Sequence, residues 1–206
     1  RGPWLAAPQG ERFTPYRCAL QTVYFSVLGL GWLFVLFLSG ESAPLPWLPL
    51  LNPLELAQLA VLALAVRWLW SEQSPAWLQR LRLFLLSAGG FLMVTFTTLR
   101  AVHHWGNVDW GSSMLSTSLA QTSLTIVWSV LGVLGWVIGS RRGNRGLWLA
   151  GAVLMGVVLV KLILVDRGNL GDAWGIGSFI AYGLLCTLVG YFAPAPPRNA
   201  TQENAA

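Results

Sequence analysis

Few polar side chains interrupt the long apolar stretches of this sequence, and these few are the residues that can do chemistry. They are Glu55, Gln58, Arg100, His103, His104, Gln121, Lys161 and Asp166. Carboxylate and imidazole groups serve as general acids and bases, which makes Glu55, His103 and Asp109 candidates for proton transfer. An ionisable group inside an apolar stretch is costly, so it marks a candidate functional site.

Other chemistries lack the residue spacing that they need. His103 and His104 are adjacent and point in different directions on a helix, whereas paired metal ligands use spacings such as i and i+4. We expect a surface or interfacial histidine pair. Cys18 and Cys186 show no ligand spacing and are expected to be small apolar filler. No serine is tied by spacing to a histidine, and we expect neither a metal nor a cofactor.

The elements that must position these residues follow from composition. The chain has 206 residues, of which 55% are hydrophobic and 10% are charged, against about 25% charged residues in typical soluble domains. This composition excludes disorder, coiled coil, collagen and a disulfide scaffold. The net charge is +5, but the charges lie in short loops rather than on one face, so we expect no nucleic-acid partner. The long uncharged runs indicate an integral membrane protein.

Six runs approach the roughly 20 apolar residues that one crossing requires: residues 19–38, 53–70, 83–99, 118–139, 147–165 and 173–192. None alternates in polarity as a barrel strand does. The sequence therefore predicts an all-α polytopic transmembrane helical bundle with about six spanning helices. We expect a polar cytoplasmic segment over 1–18, the membrane domain over 19–193 and a Pro-rich polar cytoplasmic tail over 194–206. Because the chain begins with Arg rather than Met, we also expect it to be a fragment of a longer protein.

Arginine placement predicts the orientation. Ten arginines belong to the N-terminal segment, the second and fourth connections and the tail, whereas only Arg100 and Arg167 lie on the other side. Cytoplasmic connections of membrane proteins carry the excess of basic residues. We therefore expect both termini in the cytoplasm.

With this orientation the candidate residues share a depth near the outer leaflet, which allows one polar pocket there. Several have simpler interpretations. The run Asn52-Pro53-Leu54-Glu55 predicts a helix start, with Asn as N-cap and Glu reaching back to free backbone N–H groups. Arg100 at a helix C-terminus is favoured by the helix dipole and reaches the headgroups.

Lys161 allows two interpretations. Helical side chains lean toward the helix N-terminus, which here points Lys161 away from the nearer membrane surface. An ion pair with Glu55 on another helix is the preferred hypothesis, and snorkelling to the outer surface is the alternative.

Small residues spaced four apart predict close helix packing in lipid. Gly135 and Gly139 lie on one face of the fourth span, and Ala152 and Gly156 lie on one face of the fifth.

Several short motifs occur in a fixed order: Asn52-Pro53-Leu54-Glu55-Leu56, Arg100-Ala101-Val102-His103-His104-Trp105, Leu147-Trp148, Val160-Lys161-Leu162 with Asp166, and Ser178-Phe179 through Gly190-Tyr191. Together they resemble the C-terminal part of the bacterial multi-spanning membrane proteins grouped as domain of unknown function 2339. The resemblance covers residues 50–197 and implies a location in the bacterial inner membrane and a longer parent chain, but no reaction.

Two functional classes follow. In the first, the chain is a structural or transport-related module in which Lys161, Glu55 and Arg100 stabilise the bundle or line a polar cavity. In the second, it is a membrane enzyme that acts on an envelope lipid or glycan at the periplasmic face through Glu55, His103 or Asp109. Expected partners are membrane lipids and, besides them, the remaining spans of a longer chain or other membrane subunits.

Overall fold

A computed structural model describes residues 13–42, 46–72, 74–165 and 173–192. Within these ranges the regular elements are six α-helices and one short 3-10 helix at Ser112–Ser116, with no strand. The helices are α1 (Phe13–Leu36), α2 (Pro53–Leu69), α3 (Ala76–Gly106), α4 (Ser118–Arg141), α5 (Arg145–Leu164) and α6 (Ala173–Phe192). The predicted all-α class is confirmed, and each of the six helices overlaps one predicted span.

Four of these helices are long and apolar enough to cross a membrane: α1 from Tyr16, α3, α4 and α5. Helix α2 has 17 residues, the lower end of the usual range for a span, and the apolar part of α6 described at side-chain level is Ile176–Tyr191. Large apolar side chains such as Leu30 and Phe34 are more than two-thirds exposed. Such exposed apolar faces are favourable in the hydrocarbon of a membrane and unfavourable in water.

Helix α3 is longer than predicted at both ends. The sequence predicted a span over 83–99, but the helix continues to Gly106 and places Arg100, His103 and His104 inside it. It ends where Gly106 is followed by Asn107, whose φ is 49°, a left-handed conformation that stops a helix. The expectation that Arg100 lies at the C-terminus of its helix is therefore wrong.

The chain divides into two compact units, Arg1–Thr97 and Thr98–Ala206, with the boundary inside α3. In the first unit α1 and α2 run antiparallel, because Phe25 stacks on Trp68 with ring centroids 4.4 Å apart while Trp32 Nε1 donates to Gln58 O at 3.1 Å. The core of this unit is formed by Trp32, Leu36 and Met93.

In the second unit α4 packs against both α5 and α6. The α4–α5 contact is made by glycine. A Cβ on Gly139 would overlap the backbone of Trp148, and a Cβ on Gly151 would overlap the backbones of Trp136 and Gly132. The predicted packing role of Gly139 is thus confirmed, since only a residue without a side chain lets these backbones meet.

On α5, the predicted packing role of Gly156 is wrong. A Cβ on Gly156 would meet nothing within 4 Å, whereas Gly151 is the glycine that contacts α4. Spacing alone identified small residues on α5 but not which of its faces turns toward α4.

Candidate functional site

A row of hydroxyl side chains runs along one face of α4. Thr122, Thr125 and Ser129 are spaced three and four residues apart, which places them on a single helix face. All three are buried, and Thr125 and Ser129 are completely so. Ser129 Oγ donates to Thr125 O at 2.6 Å, so its hydroxyl is satisfied within the helix.

Lys161 reaches this face from the last turn of α5. Its Nζ donates to Thr125 Oγ1 at 2.7 Å and to Gln121 O at 3.1 Å. The short connection between α4 and α5 makes them antiparallel, so the end of α5 lies beside the start of α4. The ammonium group therefore binds oxygen atoms of the neighbouring helix.

The partners of Lys161 on α4 are a hydroxyl and a backbone carbonyl, neither of which was predicted. The preferred pair with Glu55 would join residues of the two different units and stays a prediction. Gln121, predicted as a member of the polar cluster, meets Lys161 through its carbonyl, while its side-chain Nε2 donates to Leu115 O.

Arg100 is the largest side chain that the structure buries completely. It lies six residues before the end of α3, so it does not terminate the helix. Its complete burial leaves no part of the side chain accessible to lipid headgroups. A guanidinium cannot shed its charge in a protein, and its burial requires polar surroundings.

His103 and His104 lie half-buried in the last turn of α3. His103 Nδ1 is 2.6 Å from Val108 O, and because a carbonyl oxygen only accepts, Nδ1 carries the hydrogen. The two imidazole rings meet edge to face at 4.6 Å. His103 therefore holds the connection that follows α3. Across the described part of the chain, no group of three or more His, Cys, Asp or Glu is placed to hold a metal ion.

Glu55 and Gln58 occupy the first turns of α2, and both are buried. The predicted helix start is confirmed: Asn52 Oδ1 accepts from Leu54 N at 2.9 Å, Pro53 is the first helical residue, and Glu55 Oε2 accepts from the backbone N–H of Leu50. Leu50 has a φ of 66°, a left-handed conformation that costs a non-glycine residue about 1–2 kcal/mol. The Glu55 carboxylate thus holds a strained turn.

Residues 4–196 match the family model described as predicted membrane protein (DUF2339). The chain belongs to the DUF2339 family. No curated protein and no solved structure matches this DUF2339 member significantly.

Within this DUF2339 chain, the structure brings only some of the predicted residues together. Lys161 meets Gln121 on α4, and His103 meets His104 on α3, while Glu55 and Gln58 lie one turn apart on α2. Asp109 is exposed in the connection after α3. Asp166 lies outside the described residues.

Sequence reasoning missed the hydroxyl face of this DUF2339 member. Thr122, Thr125 and Ser129 were not predicted as site residues, because the search began from charged groups and the fourth span carries none. Their spacing of three and four within an apolar run was the available signal, since hydroxyls on one face of a membrane helix indicate a buried polar contact.

Proposed function

We propose that this DUF2339 chain is a structural module of the bacterial inner membrane, in which polar side chains near the outer leaflet join apolar helices. The observation that carries this proposal is the contact of Lys161 Nζ with Thr125 Oγ1 and Gln121 O across the α4–α5 interface.

The energetics favour a joining role for Lys161. A lysine at the centre of a membrane helix costs about 2.5–3.5 kcal/mol on insertion scales, an upper bound for Lys161 in the last turn of α5. Hydrogen bonds between membrane helices contribute about 0.6–2 kcal/mol each, so two such bonds offset much of the penalty. Helix α4 is also continuous from Ser118 to Arg141, whereas transporter sites are typically built from interrupted helices.

The proposed orientation puts both termini in the cytoplasm. Its support is the excess of arginine at two helix connections: Arg67, Arg80 and Arg82 around the α2–α3 connection, and Arg141, Arg142 and Arg145 around the α4–α5 turn. Basic residues at such positions are retained on the cytoplasmic side. This orientation puts the Lys161 contact near the outer leaflet.

The proposed partners are membrane lipids and, in addition, other membrane helices, either from a longer parent chain or from separate subunits. Their support is the apolar surface of the helices, where Leu164 on α5 and Phe84 on α3 are at least 70% exposed.

The alternative function, an enzyme that acts on an envelope lipid or glycan, has weaker support. Its two best candidates for proton transfer both contact backbone groups of adjacent loops: Glu55 accepts from Leu50 N, and His103 contacts Val108 O. Through these contacts Glu55 and His103 hold the adjacent loops in place. We therefore propose the structural role rather than the enzymatic one.

A double-mutant cycle tests the structural role. Lys161→Met, Thr125→Val and the double variant are unfolded with sodium dodecyl sulfate in mixed micelles, and their free energies of unfolding are compared. We expect a coupling energy of about 1 kcal/mol between the two positions.

The matched control replaces Thr125→Val by Thr187→Val. Thr187 is an exposed membrane-helix threonine whose hydroxyl donates to Gly183 O of its own helix, so its coupling to Lys161 should be close to zero. A coupling at Thr125 no larger than the control would rule out the proposed role of Lys161.

A further inference from the structure

Three arginines are clustered at the turn that joins α4 to α5. Arg141 is the last residue of α4, Arg142 is its C-cap, and Arg145 is the first residue of α5. All three side chains are exposed. Because a guanidinium group keeps its charge in proteins, the turn presents three positive charges within five residues of chain.

Hydrogen bonds fix the backbone of this turn. Gly143 has a φ of 62°, a left-handed conformation that glycine adopts without strain. Its N–H donates to Ser140 O at 3.3 Å, and Asn144 N donates to Gly139 O at 2.9 Å, the two bonds of a Schellman motif. Asn144 then caps α5 by accepting from Leu147 N at 3.1 Å. The arginines are therefore attached to a defined turn rather than to a flexible loop.

No carboxylate offsets this charge nearby in the part of the second unit that the structure describes. The acidic residue described in that unit is Asp109, which belongs to the connection between α3 and α4 at the opposite end of α4. Helix α4 has 24 residues, or about 36 Å at 1.5 Å per residue. The positive potential at the turn therefore attracts anions.

The length of α5 relates the turn to the depth of the phospholipid headgroups. The helix has 20 residues, Arg145–Leu164, which extend over about 30 Å. This length equals the usual hydrocarbon thickness of a bilayer. When α5 spans the membrane, Arg145 at its first position therefore lies at the boundary where the phosphate groups are. Leu149, one turn farther along, is 54% exposed, so lipid-facing apolar surface begins beside the arginines.

The connection between the helices is short, since only residues 142–144 separate α4 from α5. The arginines consequently remain close to the membrane surface. This position favours a membrane lipid over a soluble acidic partner.

We infer that the α4–α5 turn binds the phosphate group of an anionic phospholipid through Arg142 and Arg145. Guanidinium groups make paired, charge-assisted hydrogen bonds to phosphate. A zwitterionic lipid binds less well, because its cationic headgroup meets the like charges of the arginines. The lipid partner proposed above thereby becomes an anionic one. This site depends on the membrane location of the chain and not on the role proposed for Lys161.

The test measures lipid retained by the purified full chain. The protein is exchanged into detergent that contains equal amounts of phosphatidylglycerol and phosphatidylcholine with identical acyl chains, and the bound lipid is counted by native mass spectrometry. We expect the natural chain to retain phosphatidylglycerol preferentially. Arg142→Gln and Arg145→Gln should each lower this preference about fivefold, the effect of about 1 kcal/mol per basic residue.

The matched control combines Arg67→Gln with Arg80→Gln. These exposed arginines belong to the first unit, around the α2–α3 connection, and their loss changes the net charge as much as the loss of Arg142 and Arg145. The control should keep most of the natural preference. An equal loss in the control and in the double variant of the turn would show that net charge attracts the lipid, and would overturn the site.

A second double variant, Arg142→Lys with Arg145→Lys, retains the charge but removes the paired donors of the guanidinium groups. Its preference should lie between those of the natural chain and the glutamine variant, and it decides the outcome if the glutamine variant fails to fold. An undiminished preference in the lysine variant would contradict the paired contact with phosphate.

Equal retention of the two lipids by the natural chain would also overturn the inference and would favour a soluble anionic partner for the turn. A detergent micelle has no inner or outer face, so the result does not depend on the proposed orientation. The coupling between Lys161 and Thr125 is measured independently, so either proposal can fail without the other.

Discussion

At the scale of single residues, Asn52 shows how one side chain joins local and tertiary structure. Its Oδ1 caps α2 through Leu54 N, and its Nδ2 donates to Gly40 O, twelve residues earlier in the connection after α1. The side chain is only 2% exposed. The capping bond follows from the local sequence, whereas the bond to Gly40 requires the α1–α2 connection to return over the start of α2.

Replacing Asn52 separates these two contributions. We expect Asn52→Ala to lower the free energy of unfolding by about 1–2 kcal/mol, because a helix cap and a buried hydrogen bond are both lost. Asn52→Ser should cost less, since serine is an equally good N-cap and only the bond to Gly40 disappears. Unfolding by sodium dodecyl sulfate measures both, and equal losses would show that the cap contributes nothing.

At the scale of elements, the α4–α5 hairpin depends on backbone contact rather than on large interlocking side chains. Gly135 lies so close to α5 that a Cβ there would be 3.4 Å from the Cα of Gly151. Lys161 then adds a polar contact at the far end of the same interface. In lipid, where apolar side chains gain nothing by leaving their surroundings, such close approach and hydrogen bonding are what hold helices together.

Two glycines of α5 make this dependence measurable. Gly151→Ala should lower the free energy of unfolding by about 2–3 kcal/mol, because the new methyl group forces α4 and α5 apart. Gly156→Ala on the same helix should change it by less than about 0.5 kcal/mol, since its Cβ enters open space. Similar values for the two variants in detergent unfolding would contradict the described packing.

At the scale of the whole molecule, the arginine-rich connections govern how the chain lies in the membrane. The α4–α5 turn carries three arginines, whereas the connection between α3 and α4 carries none and contains the 3-10 helix at Ser112–Ser116. These connections lie at opposite ends of α4, so the proposed orientation puts the first in the cytoplasm and the second outside.

Labelling of single cysteines tests this orientation in intact cells. In a background where Cys18 and Cys186 are replaced by Ala, we expect a membrane-impermeant maleimide to modify Ser113→Cys directly. Gly146→Cys should react only after the membrane is permeabilised, and both positions are exposed. A Cβ on Gly146 meets only the Asn144 side chain at 3.5 Å, so the substitution fits. The reverse labelling pattern would overturn the proposed topology.

The sequence by itself determined the membrane class, six helices near their observed positions, the start of α2 and the packing role of Gly139. Each of these depends on interactions within a short stretch of chain: apolar length, capping residues and small residues at helical spacing. The length of α3 was underestimated because its polar last turns were assigned to a loop, although nothing before Gly106 and Asn107 breaks a helix.

Only the tertiary structure decided that Gly151 rather than Gly156 contacts α4, that Lys161 binds Thr125, and that Arg100 is completely buried. Hydropathy and periodicity predict which residues share a face of a helix. Which helix packs against that face depends on the tertiary arrangement of helices that are distant in sequence. The partner of a buried polar group is therefore decided by three-dimensional packing, which no single stretch of this chain encodes.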